Sequence, residues 1–183
     1  MRITEIIESF SLRNEKWLPI IDESGTVYGK ITHSQSIDKK NEYLHPIIRI
    51  ALIHKGKLFL SGKENIEANN KPCLDYPFER HVLYKETIDE AVIKTLESNG
   101  SKPELNCNCN YLFHYIHRSE EMHRLVYFYI CNIRDDSLLE KLNLSTGKWW
   151  MRKQIKENLN TGLFSAFFEN EFEFLDSTVL AID

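Results

Sequence analysis

The sequence predicts an α+β fold: a mixed β-sheet sandwiched between helices, preceded by a small N-terminal extension. Three observations predict it. Short β-rich segments bounded by turn residues recur between residues 17 and 133. One capped amphipathic helix interrupts them at residues 87–99. Two further helical segments close the chain, whose 183 residues suit one domain with a full hydrophobic core.

Taken in order, residues 1–14 set Ile3, Ile6, Ile7 and Phe10 at helical spacing, which predicts a short packing helix. Residues 17–22 and 27–32 are β-rich and flank the turn residues Glu23-Ser24-Gly25-Thr26, which predicts a hairpin. Helix and hairpin together form an extension over residues 1–35, packed on a core domain of residues 36–183. A second hairpin runs from residues 46–54 through Lys55-Gly56-Lys57 to Leu58-Phe59-Leu60. Residues 61–72 are polar, and Asn69-Asn70-Lys71-Pro72 reads as a loop.

In the helix at 87–99, Thr87 caps and Glu90 completes a capping box. Ile88, Ala91, Val92 and Leu96 form its apolar stripe, and Gly100 stops it. Strands follow at 111–117 and 125–133 around a polar turn at 118–123, then a short strand at Trp149-Trp150. Residues 154–160 form a helix that ends at Thr161-Gly162. Residues 164–175 form the last helix, where Phe164, Phe167, Phe168, Phe172 and Phe174 read as packing.

Composition narrows the function. Hydrophobic residues make up 42% and charged residues 27%, and the net charge is −4, so neither nucleic acid nor an anionic membrane is the expected partner. No apolar run reaches the roughly 18 residues of a membrane span. Met1-Arg2-Ile3-Thr4-Glu5 has no secretory pattern, and a cytoplasmic location is the expectation. The cysteines are Cys73, Cys107, Cys109 and Cys131. On a strand, Cys107 and Cys109 share a face, but His114 and His117 point to opposite faces, so a zinc site lacks ligands and reduced thiols are expected.

Four stretches together resemble the Nudix superfamily, and most closely the bacterial Nudix hydrolases near isopentenyl-diphosphate isomerase. They are residues 18–30; Leu44-His45-Pro46 with the return at 55–60; Gly147-Lys148-Trp149-Trp150 with Ile155-Lys156-Glu157-Asn158-Leu159; and residues 164–174. The likeness covers residues 15–176 and implies a Nudix-like α/β/α sandwich. The family's signature is a glycine, five residues, a glutamate, seven residues, then Arg-Glu-apolar-x-Glu-Glu-x-Gly-apolar. Its glutamates share one helix face and hold magnesium or manganese, which screens a diphosphate and activates water.

Laid on this chain through Glu86, the signature puts Arg80 on the first glycine, Lys94 on the arginine, Thr95 on the first helix glutamate, and Ser98 and Asn99 on the glutamate pair. A one-residue deletion late in the helix would bring Gly100 onto the family's second glycine and Glu97 onto one of the pair. Neutral Thr, Ser and Asn are weak ligands for a hard ion, and Lys94 lacks the planar fork of arginine. The box is therefore degenerate. The isomerase's metal histidines map to His45 and His81, but its cysteine maps to Glu79, which cannot act as a thiolate.

Three readings follow. The first is a Nudix-fold protein with weak or lost metal-dependent hydrolysis that binds a small phosphorylated ligand or another protein. The alternative is an active magnesium- or manganese-dependent hydrolase of a nucleoside diphosphate derivative. It would use a displaced metal site of Glu79, Glu86, Glu97, His45 and His81, with Glu86 and Glu97 catalytic. The third is a homodimer formed through the N-terminal helix and first hairpin. Without catalysis, Glu86 reads as charge beside a helix N-terminus and Glu97 as a solvated surface residue. Arg80 and Lys94 are the candidate ligand-binding cations; Arg80 either blocks the phosphate pocket or binds an anion without metal.

Overall fold

The computed structural model describes residues 15–37, 42–65, 71–98, 109–120, 122–140, 142, 144 and 147–178. The helix expected at 1–14, Asn99, Gly100 and Cys107 lie outside the described residues.

The first hairpin forms as expected. β1 (Trp17–Ile21) pairs antiparallel with β2 (Val27–Thr32), and Asp22 accepts from the backbone of Ser24 and Thr26 to close the turn. Gly25 takes φ +84°, a conformation that favours glycine. Thr32 then caps a four-residue helix, α1 (His33–Ser36). This hairpin is a separate two-stranded sheet. It is tied to the core by Ile21 N–H to Leu44 O (3.1 Å) and Tyr84 N–H to Trp17 O (2.8 Å). Ile21, Leu44 and Leu125 bury one another there.

The main sheet holds seven strands: β3 (His45–His54), β4 (Lys57–Asn65), β5 (Lys71–Asp75), β6 (Phe78–His81), β7 (Cys109–Arg118), β8 (His123–Asn132) and β9 (Gly147–Met151). The order β5-β4-β3-β8-β7 is extended by β6 on β3 and β9 on β4. β3 and β8 pair in parallel and the other pairs are antiparallel, so the sheet is mixed. All ten residues of β3 are buried, as befits a central strand covered on both faces.

Helices cover those faces. On one, Ile48, Ile50 and Leu52 of β3 pack with Ala91, Val92 and Leu96 of α2 (Ile88–Glu97). On the other, Ala51 and Ile53 pack with Phe168, Phe172 and Leu175 of α5 (Ala166–Thr178). The short α3 (Asp136–Leu139) and α4 (Arg152–Lys156) lie between them in sequence. α2 opens with the expected box: Glu90 N–H donates to Thr87 Oγ1 (3.2 Å) and Thr87 N–H to Glu90 Oε2 (2.9 Å).

The expected loop over 61–72 is corrected. β4 continues to Asn65, and residues 71–75 form an edge strand on it. An edge tolerates Pro72, which cannot donate to a ladder. The closing helices also shift: α4 starts at Arg152 and α5 runs from Ala166 to Thr178. No helix among the described residues is long and apolar enough to cross a membrane.

Candidate functional site

Alternation along a strand decides which predicted residues can meet. In β6, Arg80 pairs with Ile48, so its side chain lies on the α2 face. Glu79 and His81 pair with Arg49 and Ile47 and lie on the opposite, α5 face. Parallel pairing adds His45 and Arg124 to that second face. The sheet therefore stands between Glu86 and Lys94 on one side and Glu79, His81 and His45 on the other.

On the α2 face, Glu86 closes the loop between β6 and α2. Its side chain is only 4% exposed. Arg80 grips it with two N–H groups, Nη1 to Oε2 at 2.9 Å and Nη2 to Oε1 at 3.1 Å. Lys94 Nζ donates to Oε1 (2.9 Å) and the Leu83 amide to Oε2 (2.9 Å). Burial pushes this carboxyl's pKa up, but the donors from Arg80, Leu83 and Lys94 outweigh it and hold the group below its usual range. Both oxygens are thus engaged by cations and an amide. Lys85 takes φ 71° in this loop, a left-handed conformation unusual for a side-chain-bearing residue.

Helix α2 brings no set of metal ligands together among the described residues. Thr95 is 2% exposed, within the face that α2 turns to the core, and its hydroxyl donates to Ala91 O (2.6 Å). Ser98 donates to Thr95 O (2.9 Å). Glu97 is exposed. A hard divalent ion needs several anionic oxygens converging on one point. Among the described residues, no group of three or more His, Cys, Asp or Glu side chains is placed to hold one. These residues do not fit the metal that the resemblance implies.

The α5 face carries a second constellation. Arg49, fully buried in mid-β3, directs Nε to Glu171 Oε1 (2.9 Å), Nη2 to Asp75 Oδ1 (2.6 Å) and Nη1 to Glu79. Asp75 also accepts from Ser165 Oγ (2.9 Å), and Tyr115 donates to Glu171 Oε1 (2.8 Å). Lys63 makes a second, longer contact to Glu79 (3.4 Å). One guanidinium cannot neutralise three carboxylates, and the shifts follow from that. Burial is the largest influence on Glu79, but the charges of Arg49 and Lys63 overcome it and hold the group down to about 2. Burial likewise dominates at Glu171, and there it prevails over Arg49, raising the carboxyl to about 7.

Beside this cluster opens a cleft of about 240 Å³ whose walls include His33, Ile47, Lys63, His81, Arg124 and Phe167. The rings of His33 and His81 meet edge-on with centroids 5.3 Å apart. His45 is buried beneath, its Nδ1 2.8 Å from Pro19 O. Of the predicted residues, Glu79 and His81 line this cleft, while Arg80, Glu86 and Lys94 form the ion-pair cluster across the sheet.

Sequence reading missed Arg49, Asp75, Glu171 and Arg124. Two signals were present. Arg49 interrupts the apolar run Ile47-Ile48-Arg49-Ile50-Ala51-Leu52-Ile53, and Glu171 falls on the buried stripe of Phe167, Phe168, Phe172 and Leu175. A charge on a buried stripe implies a partner charge.

Compared with known proteins, the chain matches no family model and no curated protein. Solved structures do match. DR0079 from Deinococcus radiodurans aligns over 90% of this chain and 99% of its own, with a TM-score of 0.64 and 16% identity. A chain in the complex of the C-terminal domain of mouse MUTYH with human PCNA covers 72% of this chain and 87% of its own, at TM-score 0.53 and 10% identity. A MutT protein from Methanosarcina mazei Go1 covers 73% and 94%, at TM-score 0.50 and 14% identity. At such identities the likeness is one of fold, and the fold is Nudix-like.

Proposed function

We propose that this chain uses a Nudix-like fold to bind a small phosphorylated ligand, with metal-dependent hydrolysis weak or lost. One observation carries the reading: both oxygens of Glu86 are engaged by Arg80, Lys94 and the Leu83 amide. The carboxylate that the box alignment singles out holds a loop to a helix. Thr95, on the position of the first helix glutamate, is buried with its hydroxyl on its own helix backbone. Arg80 thus acts by occupying the carboxylate, with its other contact to Ala91 O.

The alternative, an active magnesium or manganese hydrolase, requires Glu79, Glu86, Glu97, His45 and His81 to act as one set. The register of β6 on β3 divides them between the faces of the sheet, which favours the first reading. A cytoplasmic setting and a homodimer through the first hairpin, where Val27 and Tyr28 are exposed, remain parts of the proposal.

The test is a panel of nucleoside diphosphate derivatives incubated with magnesium or manganese. No phosphate release above background is expected. Metal-dependent turnover that disappears in Glu97→Gln or Glu86→Gln would overturn the reading.

A further inference from the structure

Arg124 carries a charge that its described surroundings do not neutralise. It sits near the start of β8, in parallel register with His45, and is 6% exposed. Its Nη1 donates to His123 O (2.9 Å). Among the described residues, no carboxylate lies within ion-pair distance of it. Glu79 is close enough for its field to be felt, but its carboxylate is held by Arg49 and Lys63. A guanidinium has five N–H donors, and a buried unpaired charge costs several kcal/mol. Proteins meet that cost by pairing the charge, and here no described residue supplies the pairing group.

His81 Nδ1 is buried without a hydrogen-bond partner. Arg124 and His81 line the same cleft, and Ile47 and Phe167 supply an apolar wall. Asp75 and Glu79 also border it, so a polyphosphate chain would meet two carboxylates, whereas a single anionic head would meet Arg124.

We propose that this cleft binds a small organic anion without a metal ion, its phosphate or carboxylate head on Arg124 and His81 and its apolar body on Phe167 and Ile47. The assignment rests on the ligand-binding reading above and names the ligand class and its place. Lys63, 27% exposed and paired with Glu79, also lines the cleft.

The experiment uses the full chain in EDTA at constant ionic strength. Inorganic phosphate, phenyl phosphate, acetate and benzoate are titrated while thermal unfolding and histidine ring resonances are followed. One aromatic anion should bind at least about tenfold more tightly than its parent ion, a difference of ~1.4 kcal/mol. Which aromatic anion binds identifies the head group. Binding should perturb the ring resonances of His81, which lines the cleft beside Arg124. Arg124→Met should abolish binding without lowering the unliganded melting temperature, since it removes an uncompensated buried charge. Arg124→Lys keeps the charge, loses the fork and should bind more weakly. Arg118→Gln, at an exposed pair with Glu23, should bind as the wild type does.

Absence of binding up to roughly 50 mM, weaker than any useful affinity, would overturn the site. So would equal binding by Arg124→Met, or equal binding of the aromatic and parent ions. Those failures leave the loss of hydrolysis standing, whereas saturable magnesium binding would overturn that loss whatever the anions do.

Discussion

Glu86 is a carboxylate fully engaged by its own chain. Its carboxylate receives four hydrogen bonds, three of them from cations. Lys94 is 56% exposed and contributes little; the Arg80 fork and the buried amide contribute most. Glu86→Gln should therefore lower stability by about 1.5–3 kcal/mol, the usual range for hydrogen bonds to charged groups. The loss should be the same with and without magnesium in urea unfolding, whereas a metal ligand would show a magnesium-dependent difference. Glu171 gives a prediction in pH. Its carboxyl is raised from 4.5 to about 7 in the folded chain. Between those values the native state holds a proton that the unfolded state has lost, so this group's contribution to stability falls as pH rises. His45 and His81 act the other way: depressed to about 4 and 3 from 6.5, they favour the fold increasingly as pH rises toward 6.5. Glu171→Gln removes only the first effect. Unfolding free energies measured from pH 4.5 to pH 7 should drift in favour of the variant relative to wild type, and drift in the reverse direction would contradict the assignment.

Elements with a strong local pattern were legible. The capping box at Thr87 and Glu90, the stripe of α2, both hairpins and the β7–β8 pair all follow from spacing that local physics enforces. Thr87→Ala should cost about 1 kcal/mol through loss of the cap, read as a lower urea midpoint with unchanged slope. Restoration by Thr87→Ser but not by the near-isosteric Thr87→Val would identify the hydroxyl as the cause. β5 and β6 were not legible. Lys71-Pro72-Cys73-Leu74-Asp75 has no alternation, and β6 is four residues long with Glu79 and Arg80 at its centre. Both are strands because β4 and β3 offer partners. Their charged side chains are stabilised by Arg49 and Lys63, both distant in sequence, and by Glu86 in the loop that follows β6. Tertiary pairing set those strands against weak local propensity.

Over the whole molecule, the fold was readable because the order and spacing of segments constrain a layered sandwich. The site was not, because its chemistry depends on which face of the sheet each side chain takes, and a shift of one residue in register exchanges the faces. His45, Glu79, His81 and Glu86 are all present in the sequence, and the sheet separates the last from the others. Arg49, Asp75 and Glu171 come from three different elements and meet on the α5 face, and Arg124 from a fourth lines the cleft beside them. Two clusters result, one closed by internal ion pairs around Glu86 and one open around Arg124. The central proposal, that the residues around Glu86 and α2 do not hold a divalent ion, is tested most directly by calorimetric titration of the full chain with magnesium and manganese. The account predicts no saturable heat up to roughly 10 mM, since a single exposed carboxylate at Glu97 is too few ligands for a hard ion. Saturable binding that disappears in Glu86→Gln or Glu97→Gln would contradict it.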